Sequence, residues 1–223
     1  MPIPQPVRIF HITAIANLAQ LCVAGELRSK TLLTQNGQGY SNIAYQGAQS
    51  ARAVRAVTAG PGGVVHDYVP FYFAPRSPML YTINRGNVAG CTWRQNDIVH
   101  IESTVDRVVA EQLPFVFFDR NATLAYSRVY DSLTDLGQVA WGLITEPPCL
   151  DGYCQYWHSK SGDPMYGDRM ERRQAEFLVH QRFSLLLSTR IGVSSAAAKT
   201  TVDAILAGTG IGVPVVVKPE WYF

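Results

Sequence analysis

Lysine is scarce in this chain. Only Lys30, Lys160, Lys199 and Lys218 occur among 19 basic residues, and the rest are arginine. The net charge of +2 is too small to draw in a polyanion by bulk attraction. What basic character there is comes as planar guanidinium forks, which grip phosphates and stack on bases. A GC-rich genome or ordinary surface solvation gives the same enrichment, so composition leaves both readings open. Long apolar runs are also missing. The stretch Ile211 to Val217 is broken by Pro214, well short of the ~18 apolar residues a membrane helix needs. No basic segment followed by an apolar one opens the chain, so no signal peptide is expected and a cytoplasmic location follows. No membrane partner is expected either.

Cysteine is sparse too: Cys22, Cys91, Cys149 and Cys154. Cys149, Cys154 and His158 have part of the spacing of a zinc knuckle, but no fourth ligand stands at a matching distance. Free thiols are expected, and no metal. A P-loop run and a serine nucleophile elbow are both absent. Gly208-Thr209-Gly210-Ile211-Gly212 fails as a dinucleotide loop, because it follows a helical pattern and its third glycine falls early. It reads as a helix end and a turn. At 223 residues with 47% hydrophobic content, one folded domain spanning 1–223 is expected.

The run from Pro61 to Tyr81 holds four prolines set among aromatic rings. Proline fixes φ and removes a donor, so the run reads as extended and locked, suited to a pocket floor. Residues 7–12, 71–73, 79–83, 97–102, 114–118, 175–179 and 213–218 read as strands, with a further strand from about Leu185. Thr13 reads as an N-cap for a helix carrying Ile15, Leu18 and Cys22 that Gly25 ends. Residues 34–50 read as a loop, followed by a short helical turn bearing Arg52 and Arg55. Ser103 reads as the start of a helix with Val105, Val108 and Val109 inward. Asn121 reads as the cap of a helix carrying Leu124, Leu133 and Leu136. Ser194 or Ser195 caps an alanine-rich helix ending at Gly208. Residues 146–170 break the pattern and carry Tyr153, Tyr156, Trp157 and Tyr166 as exposed rings; a long irregular connection inside a compact domain is usually functional. Strands and helices mix without βαβ alternation, which points to an α+β fold around a mixed or antiparallel sheet.

Two residues stand out chemically. Glu176 lies in a strand between apolar neighbours, where an unsatisfied carboxylate costs several kcal/mol. It is either an acid held in a cleft or a strand-end partner of Arg172 or Arg173. His11 is either a core histidine or a pocket donor. Arg52 and Arg55 alone read as a solvated helix face.

Several runs together resemble the DarT family, the ADP-ribosyltransferase toxins of DarT–DarG toxin–antitoxin pairs. They are His11-Ile12-Thr13 with Asn17-Leu18, Ile43-Ala44-Tyr45 leading to Arg52, and the proline-rich run to Met79. Gln174 to Val179 and Lys218-Pro219 with Trp221-Tyr222 complete the set. The resemblance implies an ADP-ribosyltransferase fold with flanking helices. It implies cleavage of NAD⁺ as substrate and transfer of ADP-ribose to a base of single-stranded DNA, typically thymidine at N3, with release of nicotinamide. By position it implies Glu176 and Arg52 as catalytic residues, and His11, Ile12, Thr13, Gln20, Arg28, Arg52 and Met79 at the NAD⁺ site. It assigns residues 34–54 to an NAD⁺-binding element, residues 146–173 to substrate recognition, and a DarG-like macrodomain antitoxin as partner. For DNA, the rings and cations expected to serve are Arg55, Tyr153, Trp157, Lys160, Arg172 and Arg173. Arg52 could act as base, as stabiliser of a base anion, or as a phosphate contact. An enzyme of the same fold acting on RNA or protein, and a silent nucleic-acid-binding module, are the alternatives.

Overall fold

The structure is a computed structural model that describes residues 2–37, 39, 43, 46–88 and 92–223, with the backbone alone for Gln46 and Ala48. Ala44, Tyr45 and Cys91, and part of the 34–54 element, lie outside the described residues. The first half of the chain forms β1 (Arg8–Ala14), α1 (Leu18–Ala24), β2 (Glu26–Arg28), α2 (Lys30–Gln35), α3 (Gln46–Val54), β3 (Tyr68–Tyr72), α4 (Pro78–Asn84), β4 (Ile98–Thr104) and α5 (Val105–Ala110). The second half forms β5 (Phe115–Phe118), β6 (Val129–Tyr130), α6 (Trp141–Thr145), β7 (Cys149–Leu150), β8 (Tyr153–Cys154), α7 (Arg169–Arg172) and β9 (Glu176–His180). It closes with β10 (Arg182–Ser184), β11 (Arg190–Val193), α8 (Ala196–Leu206) and β12 (Val215–Val217).

Eight strands form one sheet in the order β12-β11-β4-β1-β3-β9-β5-β6. Only β11 and β12 run parallel; the other neighbours are antiparallel. The sheet is therefore mixed and mostly antiparallel, with flanking helices, as the α+β reading expects. Its centre is covered on both faces. Every residue of β4 is buried, and Phe177, Leu178 and Val179 of β9 have no exposed surface. Such strands read as near-continuous apolar runs rather than clean alternation.

Glycine matters at two joints. Gly25 takes φ 69° and closes α1, the left-handed position that a side chain resists. At Gly192 of β11, a Cβ would sit 2.1 Å from the Trp221 ring, so the strand accepts only glycine beside that fully buried indole.

Several local expectations fail. Leu185–Leu187 form a 3₁₀ turn between β10 and β11 in place of the expected strand, and α3 begins at Gln46, inside the expected 34–50 loop. Residues 79–83 are helical, not extended. Ser77 accepts a hydrogen bond from the Leu80 amide, Pro78 occupies the first turn, and Leu80 and Ile83 turn inward one helical step apart. Thr13 is a strand residue whose hydroxyl accepts from Asn17 Nδ2 rather than capping α1. Asn121 caps no helix. Its Oδ1 accepts from the Thr123 amide in a turn, and residues 119–138 pass through β6 into a 3₁₀ turn at Leu133–Gln138. Side-chain-to-backbone bonding by Asp119 and Asn121 competes with helix there. Elsewhere the starts shift slightly: Thr104, not Ser103, caps α5, and Ser195 caps α8.

Candidate active site

β1 and β3 lie side by side and are tied across by a side chain. His11 Nδ1 donates to the Pro70 carbonyl at 2.8 Å, which leaves Nε2 as the ring's acceptor. Burial holds the His11 ring down at about 4, so it is neutral at ordinary pH. Pro70 has no amide hydrogen, but its carbonyl is a full acceptor, and this bond fixes the imidazole against the strand. The proline-rich run thus does build a floor, in two parts: extended through Tyr72, then helical from Pro78.

Above that floor opens a cavity of about 570 Å³. His11, Ile12 and Thr13 of β1 line one side, and Tyr68, Pro70 and Tyr72 of β3 line the base. Pro78, Met79 and Thr82 enter from α4, Arg52 and Gln49 from α3, and Asn121 and Thr123 from the 119–128 turn. Gln20 is exposed at the rim, as is the more covered Arg28, whose Nε donates to Glu26 at 2.6 Å.

Glu176 sits behind the lining, screened from the cavity by Arg52. It lies opposite Tyr72 on β3 and Phe118 on β5. Its carboxylate has no exposed surface: Oε1 accepts from the Ala122 amide at 3.0 Å and Oε2 from Arg52 Nη1 at 2.7 Å. A charge buried this deeply persists only with such partners. Arg52 is the one of the pair that faces the cavity, with an 11% exposed side chain and Nη2 left without a hydrogen-bond partner among the described residues. Burial alone would lower its pKa, but Glu176 and then Tyr72 outweigh it and hold the guanidinium above its ordinary value. It is no solvated helix face. Tyr72 is raised by burial, with Glu176 adding to the effect. His66, also on the lining, is lowered by burial and then by the charges of Arg52 and Lys30; its Nε2 is buried without a partner.

The residues expected to meet DNA divide. Tyr153 and Trp157 are 8% and 4% exposed and offer no free face for a base. Tyr153 packs edge-on against Phe10 and beneath Arg8, while Trp157 packs against Tyr81 and Phe223. Arg173 is buried and donates to the Leu143 carbonyl at 2.7 Å. Arg55 uses its guanidinium on the Ala122 and Ser127 carbonyls, pinning the turn that supports Glu176. Lys160 is exposed beside the Tyr166 ring, and Arg172 is partly exposed and paired with Asp168. Of the rings read as exposed, Tyr156 is the open one at 51%. Ring-rich sequence in 146–173 mostly serves packing because it folds back onto the sheet, with β7 and β8 forming a hairpin.

The 119–128 turn was not visible as a site element. It supplies the Ala122 amide to Glu176, Asn121 and Thr123 to the cavity, and Arg120 stacked over the half-exposed Tyr126 ring. Its signal was turn chemistry, an Asp-Arg-Asn sequence directly after a buried strand. Among the described residues, no three His, Cys, Asp or Glu side chains cluster to hold a metal ion.

A buried acid–arginine pair behind the lining of a cavity on a mostly antiparallel sheet agrees with the class that comparison with known proteins establishes, the ADP-ribosyltransferases. Residues 10–223 match the family model described as "ssDNA thymidine ADP-ribosyltransferase, DarT". The chain belongs to the DarT family of NAD⁺-dependent DNA ADP-ribosyltransferases. The DNA ADP-ribosyl transferase of Thermus sp. (strain 2.9) is 36% identical over 222 residues, which cover 99% of this chain and 98% of the relative. Thermus sp. 2.9 DarT in complex with ADP-ribosylated ssDNA superposes with a TM-score of 0.87 at 35% identity, covering 100% of this chain and 99% of that one. The same protein in complex with NAD⁺ gives 0.83 at 34% identity, with both chains fully covered. Thermosipho africanus DarTG in complex with ADP-ribose shares the fold, with a TM-score of 0.75 at 17% identity, covering 97% of this chain and 51% of that one.

Proposed function

We propose that this protein transfers ADP-ribose from NAD⁺ to N3 of thymidine in single-stranded DNA, with Glu176 and Arg52 as the catalytic pair. The observation that carries the assignment is their buried ion pair, whose Arg52 lines the same cavity as His11, Thr13 and Met79. Breaking the nicotinamide–ribose bond develops positive charge on the ribose, as glycoside cleavage does. A fixed carboxylate stabilises that charge. In the resting protein Arg52 covers Glu176, so a ribose reaches the acid only when the guanidinium shifts toward the cavity. Arg52 does not serve as the base, because its pKa is raised and guanidinium stays protonated. Its role is to hold the negative charge that develops on the thymine ring as N3 gives up its proton and bonds to the ribose.

The NAD⁺ contacts in this reading are His11, Ile12, Thr13, Gln20, Arg28 and Met79, with residues 34–54 closing over them. Residues 146–173 frame the acceptor strand through their exposed parts, Tyr156 and Lys160, and not through the buried Tyr153, Trp157 and Arg173. The protein is a cytoplasmic toxin, and a macrodomain antitoxin of the DarG kind removes the modification. The test is direct. Incubated with NAD⁺ and single-stranded oligonucleotides, the protein should add one ADP-ribose to thymidine-containing strands and release nicotinamide. Duplexes should be spared, because N3 of a paired thymine is engaged and costs a few kcal/mol to free. Labelling of RNA, protein or full duplex in preference would overturn the acceptor assignment.

A further inference from the structure

The β7–β8 hairpin brings two free thiols face to face. Asp151 and Gly152 form a two-residue turn with φ 51° and 87°, so Leu150 and Tyr153 close the loop and Cys149 stands opposite Cys154. The next rung, Gln155 N to Pro148 O at 2.9 Å, is hydrogen-bonded. The cysteines therefore occupy the non-hydrogen-bonded rung, where Cα atoms sit about 4.5 Å apart and side chains are closest. That spacing falls within the ~4.4–6.8 Å that a disulfide spans, at its short end. Both sulfurs turn to one residue: Cys149 Sγ donates to the Glu146 carbonyl at 3.3 Å and Cys154 Sγ to Glu146 Oε1 at 3.8 Å.

Access and charge differ between them. Cys149 is exposed and Cys154 buried. Cys154 shares a small void with Arg173. Arg173 is a buried cation with no carboxylate in ion-pair range among the described residues, and its Nε has no partner. The thiolate is the form that attacks a disulfide, and partial burial pushes the Cys149 thiol up, so attack quickens as pH rises.

We propose that Cys149 and Cys154 form a reversible redox modification site, closed to an intramolecular disulfide by small disulfides of the glutathione type. Cys149 thiolate attacks one sulfur of the oxidant, and the first small thiolate leaves. Cys154 thiolate then attacks the Cys149 sulfur of the mixed disulfide and expels the second. Two protein thiols are oxidised, one small disulfide is reduced to two thiols, and the protons pass to the leaving thiolates. Closure withdraws both thiol donors from Glu146 and repacks Cys154 beside Arg173, three positions before Glu176. Glu146 also holds Arg169 at 2.6 Å and Tyr166 at 3.0 Å. The bond therefore bears on the 155–173 segment, and its effect on acceptor use rests on the role proposed for that segment above.

The intact protein is treated with glutathione disulfide, alkylated and mapped by mass spectrometry. The expected product has lost two hydrogens and yields one cross-linked 149–154 peptide, reversed by dithiothreitol. In Cys154→Ser the glutathione should stay on Cys149. Full alkylation of both cysteines in the wild type, or a persistent glutathione adduct there, overturns the site. The ratio of oligonucleotide modification to NAD⁺ hydrolysis without DNA should differ between oxidised and reduced wild type and not in Cys149→Ser. An unchanged ratio with the bond formed overturns the link to acceptor use.

Discussion

Two regions of this protein hold their charges in opposite ways. Around Asp151, every charge is matched: Arg8 Nη2, Lys218 Nζ and Trp221 Nε1 all donate to its carboxylate at 2.8–2.9 Å. Arg8 and Arg190 then clasp the buried Glu102. Around the cavity, polar atoms are left over. Arg52 Nη2 and His66 Nε2 lack partners among the described residues, and behind Arg52 the buried Glu176 holds only one of its guanidinium nitrogens. Buried groups left unsatisfied are costly, so a fold retains them where something else will meet them. The Asp151 cluster is built for stability, and the cavity for a guest.

Substitutions can break that contrast. Trp157→Ala, on the packed side, should cost about 3–5 kcal/mol of stability as a buried-ring deletion. Urea denaturation would read it, with DNA modification and NAD⁺ hydrolysis declining together. Selective loss of DNA modification in a stable variant would move Trp157 to the acceptor site. On the cavity side, Glu176→Gln should cut transfer by about 10²–10³, the usual penalty for losing one preorganised electrostatic group. Initial rates on an oligonucleotide, with folding checked by circular dichroism, decide this, and near wild-type transfer would remove Glu176 from the mechanism.

Acid sharpens the comparison further. Burial opposes the Asp151 charge, but the bonds from Arg8, Lys218 and Trp221 outweigh it and hold its pKa at about 2, against 3.8 for the free side chain. A depressed pKa means that its stabilisation is complete above the unfolded value and fades as pH falls from about 4 toward 2. Asp151→Asn should start less stable and show a shallower loss across that window in urea midpoints; parallel curves would remove Asp151 as the source. The smallest effect is expected at the exposed Lys160. Its replacement by alanine should flatten the salt dependence of oligonucleotide binding by about 0.7 in the log–log slope if it meets one phosphate. An unaltered slope would place the strand elsewhere.

Much of the sheet was legible because its strands are short, rich in apolar and β-branched residues and bounded by turns: β1, β4, β5 and β9 fall within two residues of where the pattern puts them. Helix α4 was not, since prolines that look locking in sequence include one, Pro78, that starts a helix. Arg52 illustrates the harder limit. On its own helix nothing marks it as buried, and only Glu176, 124 positions away, makes it so. The hairpin misled for the converse reason. Tyrosine and tryptophan are amphipathic, and a ring in an irregular segment carries no local sign of which way it turns.

The burial of His11, which outweighs its Pro70 bond, has a consequence for how the pocket answers acidity. His11 stays uncharged down to about pH 4, His66 is pushed the same way, Tyr72 is pushed up, and Arg52 keeps its proton. Around neutral pH His11, Tyr72 and Arg52 hold one fixed charge state, and the His66 shift works in the same direction. On the function proposed above, moderate acidification or alkalinisation leaves those three groups presenting the same face to the incoming dinucleotide.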